Sequence, residues 1–199
     1  MTKHFLGNSS GMMRILCFVL ILLGRQLCFG VEPEVTSEFL DACTEGNLEV
    51  LQETLRIHPT WVNGRSPEGE TCLHVAAIMG HPETTALILK KGGDPNIRTT
   101  FADGLRMHPL SWNVYGGHVE TARVLLQHGA QVNADFDHLV KENGQTKPIT
   151  VLDMVSDVIG TDAGSKEPSP HLQKYYQMRD LLLEHDAKRY SDLQKNQEL

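Results

Sequence analysis

The segment TCLHVAAIMGHPETTALILKKGGDPN, residues 71–96, predicts two short helices joined by a tight turn. The hydroxyl of Thr71 can cap the first helix, whose apolar residues then recur on one face until Gly80 ends it. The second helix begins near Pro82, because proline is tolerated in a first helical turn, and ends at Gly92. Helices of about two or three turns are unstable alone in water, so this pair must pack on further copies of itself.

The same pattern occurs before and after this segment. A shift of 37 residues aligns Gly117 with Gly80 and Asn133 with Asn96. A shift of 34 residues in the other direction aligns Gly46 with Gly80. The chain therefore contains at least three units of one kind.

A fourth copy is divided by additional residues. Thr150–Asp153 matches the opening of the first helix at a shift of 79, and Leu182–His185 matches the second helix of the third unit at a shift of 57. The opening implies a shift of 42, so 57 minus 42 leaves an insertion of 15 residues between the two helices. The predicted units span residues 36–66, 67–103, 104–145 and 146–189, between a linker at 31–35 and a tail at 190–199.

This unit resembles the ankyrin repeat family, whose pattern is roughly Thr-Pro-Leu-His, Ala-Ala, Gly-His, Leu-Leu, Gly-Ala-Asp, Asn. The resemblance covers residues 36–189 and implies an all-α solenoid of helix-loop-helix units with projecting, hairpin-like fingers. It also implies a module that binds other proteins and needs no cofactor. The residues that carry the structural motif are Thr71, Leu73, His74, Ala76, Ala77, Gly80, His81, Gly92, Asn96, Gly117, His118, Gly129 and Asn133.

The later units depart from the family pattern. The third has His108 in place of threonine, Ser111 in place of histidine and Asn113-Val114 in place of the alanine pair. The fourth has Asp186 where a glycine would end the second helix. These positions are where the packing is expected to differ from the second unit.

The first 30 residues have the layout of a secretory signal peptide. Basic residues precede the apolar run Ile15–Leu23, and small residues lead to a cleavage site after Gly30. A membrane span needs about 20 apolar residues, so this run favours a cleaved signal and no membrane insertion afterwards. A retained signal anchor is the alternative, and translation could also start at Met12 or Met13.

The compartment is predicted to be the secretory pathway. The terminal Glu198-Leu199 resembles the end of a Lys-Asp-Glu-Leu retrieval signal, which leaves retention in the endoplasmic reticulum lumen and secretion both open. Cleavage would remove three basic residues and no acid, taking the formal net charge from −7 to −10. Such acidity disfavours nucleic acid as a partner.

Two cysteines, Cys43 and Cys72, would remain after cleavage. In the repeat register they differ in height by five residues, or roughly 7 Å, on adjacent helices that are about 8 to 10 Å apart. Their Cα atoms should therefore exceed the disulfide limit of about 7 Å. We expect two reduced, mostly buried thiols, and a bridge between them would count against the register of the first unit.

The sequence offers no catalytic or metal site. His74, His81 and His118 lie at positions where the ankyrin pattern commonly has histidine, which favours a structural role. No zinc, nucleophile-elbow or phosphate-loop motif occurs. We expect neither an enzyme nor a metal protein.

The predicted binding surface combines the exposed side of the first helices with the long finger after Asn96. Expanded loops at one edge of a solenoid are often contact elements, and large apolar side chains form interface hot spots. The predicted contact residues are Ile78, Met79, Arg98, Phe101, Arg106, Trp112 and Tyr115. Trp112 and Phe101 could instead fill the core under the finger. We expect a monomer that binds an unidentified protein as an adaptor or scaffold; a membrane-anchored scaffold and a regulatory subunit of an enzyme complex are the alternatives.

Overall fold

The computed structural model describes residues 35–100, 105–139, 146–160 and 172–195, which all lie in one compact unit. Four helix pairs follow one another, and a short 3-10 helix, Pro59–Asn63, follows the first pair. The pairs are α1 (Ser37–Glu45) with α2 (Leu48–Ile57), α3 (Cys72–Met79) with α4 (Pro82–Lys90), α5 (Pro109–Gly116) with α6 (Val119–Gln127), and α7 (Val151–Gly160) with α8 (Gln173–Glu184); α9 (Tyr190–Lys195) follows. The predicted all-α solenoid is confirmed.

The helices form two layers. The first helices α1, α3, α5 and α7 pack on one another in order, and the second helices α2, α4, α6 and α8 do the same. Each first helix also packs on its own second helix. The core lies between the layers and includes Leu51, Leu73, Ile88, Leu110, Leu125, Met178 and Leu182, all buried. Short helices are stable here because each buries one face against its neighbours.

Glycines end the first helices of the first three units. Gly46, Gly80 and Gly117 have φ of 70°, 77° and 74°, a left-handed conformation that glycine adopts without steric cost. Gly80 is also restricted by space, because a Cβ there would lie 2.3 Å from Nδ1 of His118. The glycine spacing in the sequence thus predicted where these helices stop.

Asp186 replaces glycine at the end of α8 and adopts the same conformation. Its φ is 60°, which is positive like the 98° and 88° of Gly92 and Gly129 in the preceding units. Aspartate tolerates the left-handed region better than most residues, since its short polar side chain can bond locally. The departure from the repeat pattern therefore leaves the turn intact.

Three asparagines bond each unit to the next. Each side-chain amide donates to the carbonyl of the residue two positions after the neighbouring second helix, and its oxygen accepts the backbone N–H two residues beyond that carbonyl. The bonds run from Asn63 to Gly92 and Asp94 (3.2 and 2.8 Å), from Asn96 to Gly129 and Gln131 (3.1 and 2.8 Å), and from Asn133 to Asp186 and Lys188 (3.1 and 2.7 Å). These six hydrogen bonds fix the spacing of all four units.

A disulfide joins Cys43 to Cys72, with Cα atoms 5.5 Å apart, so the prediction of two reduced thiols was wrong. That prediction assumed that equivalent residues of α1 and α3 lie at the same height, and it added the height difference of the two cysteines to the usual distance between packed helices. The amino end of α3 lies instead beside the carboxyl-terminal half of α1, and the small side chains there let the two backbones approach closely. The register stands, because Gly46 and Gly80 have matching left-handed conformations.

The finger before α7 is an antiparallel hairpin. Strand β1 (Phe136–Leu139) pairs with β2 (Thr146–Ile149), with Phe136 opposite Ile149. The Phe136 ring is buried and meets the His108 ring edge-on at 5.8 Å. The base of the finger therefore belongs to the core.

Candidate binding surface

Three equivalent positions recur on the first helix of every unit. The repeat shifts of 34, 37 and 79 residues bring the same three positions into register in every unit. We call this set the first-helix surface: Asp41, Thr44 and Glu45 on α1; Val75, Ile78 and Met79 on α3; Trp112, Tyr115 and Gly116 on α5; Met154, Asp157 and Val158 on α7.

The centre of this surface is apolar and exposed. Met79 is 46% and Tyr115 68% accessible to solvent, and Ile78 is half-buried beside them. The other large hydrophobic side chains that are exposed among the described residues, Val50, Ile57 and Leu183, lie on or at the ends of second helices. Since α3 packs on α5, the structure brings Ile78, Met79 and Tyr115 to neighbouring helices, as a shared contact patch requires.

Two side chains of α8 donate hydrogen bonds to backbone carbonyls at the end of α5 and hold it in place. The Tyr175 hydroxyl donates to the Tyr115 carbonyl at 3.2 Å, and Lys174 Nζ donates to the Gly116 carbonyl at 3.1 Å. The backbone that carries the exposed Tyr115 ring is therefore held in place. Tyr175 aligns with His118 at the shift of 57, so its hydroxyl takes the place of the histidine that earlier units use. Lys174 is an additional contact that the repeat pattern does not predict.

Those histidines occupy the corresponding place in the second and third units. His81 Nε2 is 2.8 Å from the Thr44 carbonyl, and His118 is hydrogen-bonded to the Ile78 carbonyl. Burial lowers the pKa of His118, against the opposing effect of that bond. The two histidines thus connect each unit to the preceding one.

Trp112 lies partly in the core. Its ring is half-buried and meets the His74 ring edge-on at 5.6 Å. Its indole Nε1 is buried and has no hydrogen-bond partner within the described part of the chain. The structure thus places Trp112 at the floor of the surface, below the more exposed Tyr115.

His74 is a neutral structural histidine. Its Nδ1 accepts from the Thr71 backbone N–H at 3.2 Å, which leaves the ring proton on Nε2, 3.2 Å from the Met107 carbonyl. Burial lowers the pKa of His74 to about 3, outweighing the hydrogen bond to Met107. The ring connects the second unit to the finger that follows it.

The third unit has a similar pair of hydrogen bonds, but the histidine now lies at the first position and a hydroxyl residue at the second. His108 takes the place of Thr71, and its Nδ1 accepts from the Ser111 N–H at 3.3 Å. The Ser111 hydroxyl in turn accepts from the His108 N–H at 3.0 Å. Burial lowers the pKa of His108 to about 4. These departures from the family pattern compensate for each other.

The long second finger is bonded internally. Arg98 donates to the Arg106 carbonyl at 3.0 Å and pairs with Asp135 at 3.5 Å. Arg106 is exposed and has a φ of 47°. The guanidinium of Arg98 thus connects the second finger to the third unit, whereas Phe101 lies outside the described residues.

The described ranges offer no metal site and no membrane span. They contain no group of three or more histidine, cysteine or acidic residues placed to hold an ion. No helix within the same ranges has the length and apolar character needed to cross a bilayer.

Comparison with known proteins identifies the repeats. Residues 39–136 match the family model for ankyrin repeats, in three copies. The chain is 30% identical over 95 residues to the NAD-capped RNA hydrolase NUDT12 of Homo sapiens and 31% identical over 94 residues to that of Macaca fascicularis. These stretches cover 48% and 47% of this chain but only 20% of each relative. The chain thus spans about a fifth of the length of these relatives, and so partial a match carries no hydrolase activity over to it.

Proposed function

Because residues 39–136 carry ankyrin repeats, which generally bind other proteins, we propose that this chain is a non-catalytic binding module of the secretory pathway that holds its partner on the first-helix surface. The observation that carries the proposal is the exposure of Met79 and Tyr115 on neighbouring first helices. Protein interfaces concentrate their binding energy in such large apolar and aromatic side chains. Tyrosine suits this role because it adds contact area at a small cost in side-chain entropy.

Two independent observations support the compartment. The residue pattern of positions 1–30 is that of a secretory leader. The disulfide between Cys43 and Cys72 is of a kind that persists in oxidising compartments and is rare in the cytosol. We therefore propose a leader at residues 1–30, a repeat domain at 36–189 and a tail at 190–199, with the domain retained in the endoplasmic reticulum lumen or secreted.

Site-specific photo-crosslinking tests which surface binds the partner. A photoreactive phenylalanine analogue replaces Tyr115 in one variant and Val50 in a matched control. Val50 is also exposed, at 42%, but lies on the second helix α2. Substitution at either exposed site should change stability by less than about 0.5 kcal/mol.

We expect illumination of cells to attach a defined protein to the Tyr115 variant and none to the Val50 variant. Attachment at Val50 alone would contradict the proposed surface, and attachment at neither site would contradict capture through the helices. An enzyme recovered from Tyr115 would identify the chain as a regulatory subunit.

A further inference from the structure

We propose that the first-helix surface selects partner segments in which lysine or arginine lies about three to six residues from an aliphatic or aromatic anchor. This inference deepens the proposed function and depends on it. It follows from the charge of α1, the apolar centre on α3 and α5, and the spacing between these helices.

The α1 end of the surface belongs to an acidic stripe, which continues along α1 to Glu38. Glu38, Asp41 and Glu45 follow one another at i, i+3 and i+7 on α1, so they lie along one side of that helix. All three are exposed, and none forms an ion pair with another described residue. The stripe is thus a set of carboxylates without a basic partner within the described chain.

The finger beside α1 and α3 adds to this charge. Glu68 is exposed, and Glu70 lies two residues further on. Burial, followed by the charge of Glu68, raises the pKa of Glu70. Arg65 in the same finger donates to the carbonyls of Gly69 and Arg98 at 2.9 and 2.7 Å.

The rest of the surface changes from acidic to apolar. The positions equivalent to Asp41 and Glu45 are Val75 and Met79 on α3, and the surface contains no lysine or arginine at any of its described positions. The basic side chains nearest in the fold are engaged: Lys174 with the Gly116 carbonyl, and Arg98 with Asp135. Arg106 belongs to the finger before α5 and not to the α1 end.

The spacing of the helices sets the spacing in the partner. Packed helices are typically about 8 to 10 Å apart, and an extended chain advances about 3.3 Å per residue. A basic side chain over α1 and an apolar one over Met79 are then about three residues apart, and an anchor over Tyr115 is about six residues away. The α1 end carries more negative charge than the α7 end, where Asp157 is the single carboxylate among the surface positions, and this difference favours one direction for the bound segment.

A charge-swap titration with synthetic peptides tests this inference. The probe is a fluorescent peptide with two lysines, a three-residue Ser-Gly-Ser spacer and a Leu-Trp anchor. One matched peptide has glutamates for the lysines, and another has serines for the anchor. Binding to the full chain is measured by fluorescence anisotropy at low and at physiological salt.

The protein variants separate local charge from net charge. The test variant is Asp41→Lys with Glu45→Lys, and the control is Glu49→Lys with Glu83→Lys, which makes the same net change at exposed positions of the second helices α2 and α4. We expect the lysine peptide to bind about tenfold more weakly to the test variant and nearly unchanged to the control. The glutamate peptide should bind the test variant more tightly than it binds the natural chain.

Equal losses in both variants, or equal binding of all three peptides, would overturn the proposed partner class. Failure here together with a crosslink from Tyr115 would reject only this chemistry and leave the binding function standing. Failure of both experiments would reject the function itself. A crosslink from Tyr115 to a second copy of this chain would also overturn the inference, because that partner is acidic.

Discussion

A chain in which Cys43 and Cys72 are both alanine is expected to lose about 3 to 4 kcal/mol of unfolding free energy. The bridge spans 29 residues of sequence and restricts the unfolded chain, and the chain-entropy relation gives this magnitude for a loop of that length. It also fastens α1, in the first unit, to α3 in the second. A terminal repeat has only one neighbouring unit, so we expect the loss to appear first as unfolding of α1 and α2.

Urea unfolding of three samples measures this effect: the oxidised natural chain, the reduced natural chain and the double alanine variant. Both cysteines are fully buried, so the reduced natural chain separates loss of the bond from loss of side-chain volume. The reduced chain should unfold at clearly lower urea than the oxidised chain, and reductant should not affect the variant. Identical midpoints for oxidised and reduced chains would show that the bridge contributes nothing to the fold.

Lowering the pH from 7 to 5 is expected to reduce the unfolding free energy by about 4 kcal/mol, roughly 2 from each of two histidines. Burial lowers the pKa of His74 to about 3 and of His108 to about 4, whereas both titrate near 6.5 when unfolded. Between these values the unfolded chain binds more protons, so acid favours unfolding. Above about pH 6.5 both histidines are neutral whether the chain is folded or unfolded, so they do not lower the unfolding free energy. The loss of unfolding free energy grows as the pH falls from 6.5 towards the folded pKa values of about 4 and about 3.

The variant His108→Asn isolates one of these contributions, because the asparagine oxygen can replace Nδ1 as the acceptor for the Ser111 N–H. We expect the change in unfolding free energy between pH 7 and pH 5 to fall by about half in this variant. The control His58→Asn removes an exposed histidine and should leave the slope unchanged. A slope that is the same in both variants would show that His108 takes up its proton in the folded chain.

The fold was predictable because it depends on local signals that recur. Gly46, Gly80 and Gly117 mark helix ends through a conformation that few other residues adopt, and their spacing identifies the units. The bond that joins the fourth unit to the third was not predictable from the residue pattern, because a tyrosine takes the place of the histidine. The Tyr175 hydroxyl donates to the Tyr115 carbonyl, where His81 and His118 bond the equivalent carbonyls of earlier units. The disulfide was missed for another reason: the distance between two helices depends on how they cross and on the side chains between them, and sequence spacing does not give that angle.

The sequence predicted which residues lie on the candidate surface, but not how far each side chain is buried. The repeat register located Met79, Trp112 and Tyr115 on one side of the first helices. How far each side chain is buried depends on the rotation of its helix and on the neighbouring unit, which places Trp112 against His74 and leaves Tyr115 exposed. The carboxylates on α1 suggest a binding role only because the apolar side chains of α3 and α5 lie beside them; elsewhere the same carboxylates would be an ordinary solvated face.

The proposal that governs all the others is that this repeat domain lies in a compartment where disulfides form. Intact-mass measurement tests it on the chain purified from secretory cells, with a tag inserted between Asp162 and Pro170 and free thiols alkylated at lysis. We expect a chain that begins near Val31 and takes up no alkyl group until it is reduced, after which it takes up two, on Cys43 and Cys72. A chain that still begins at Met1, Met12 or Met13 and is alkylated on all its cysteines without reduction would rule out the proposed compartment.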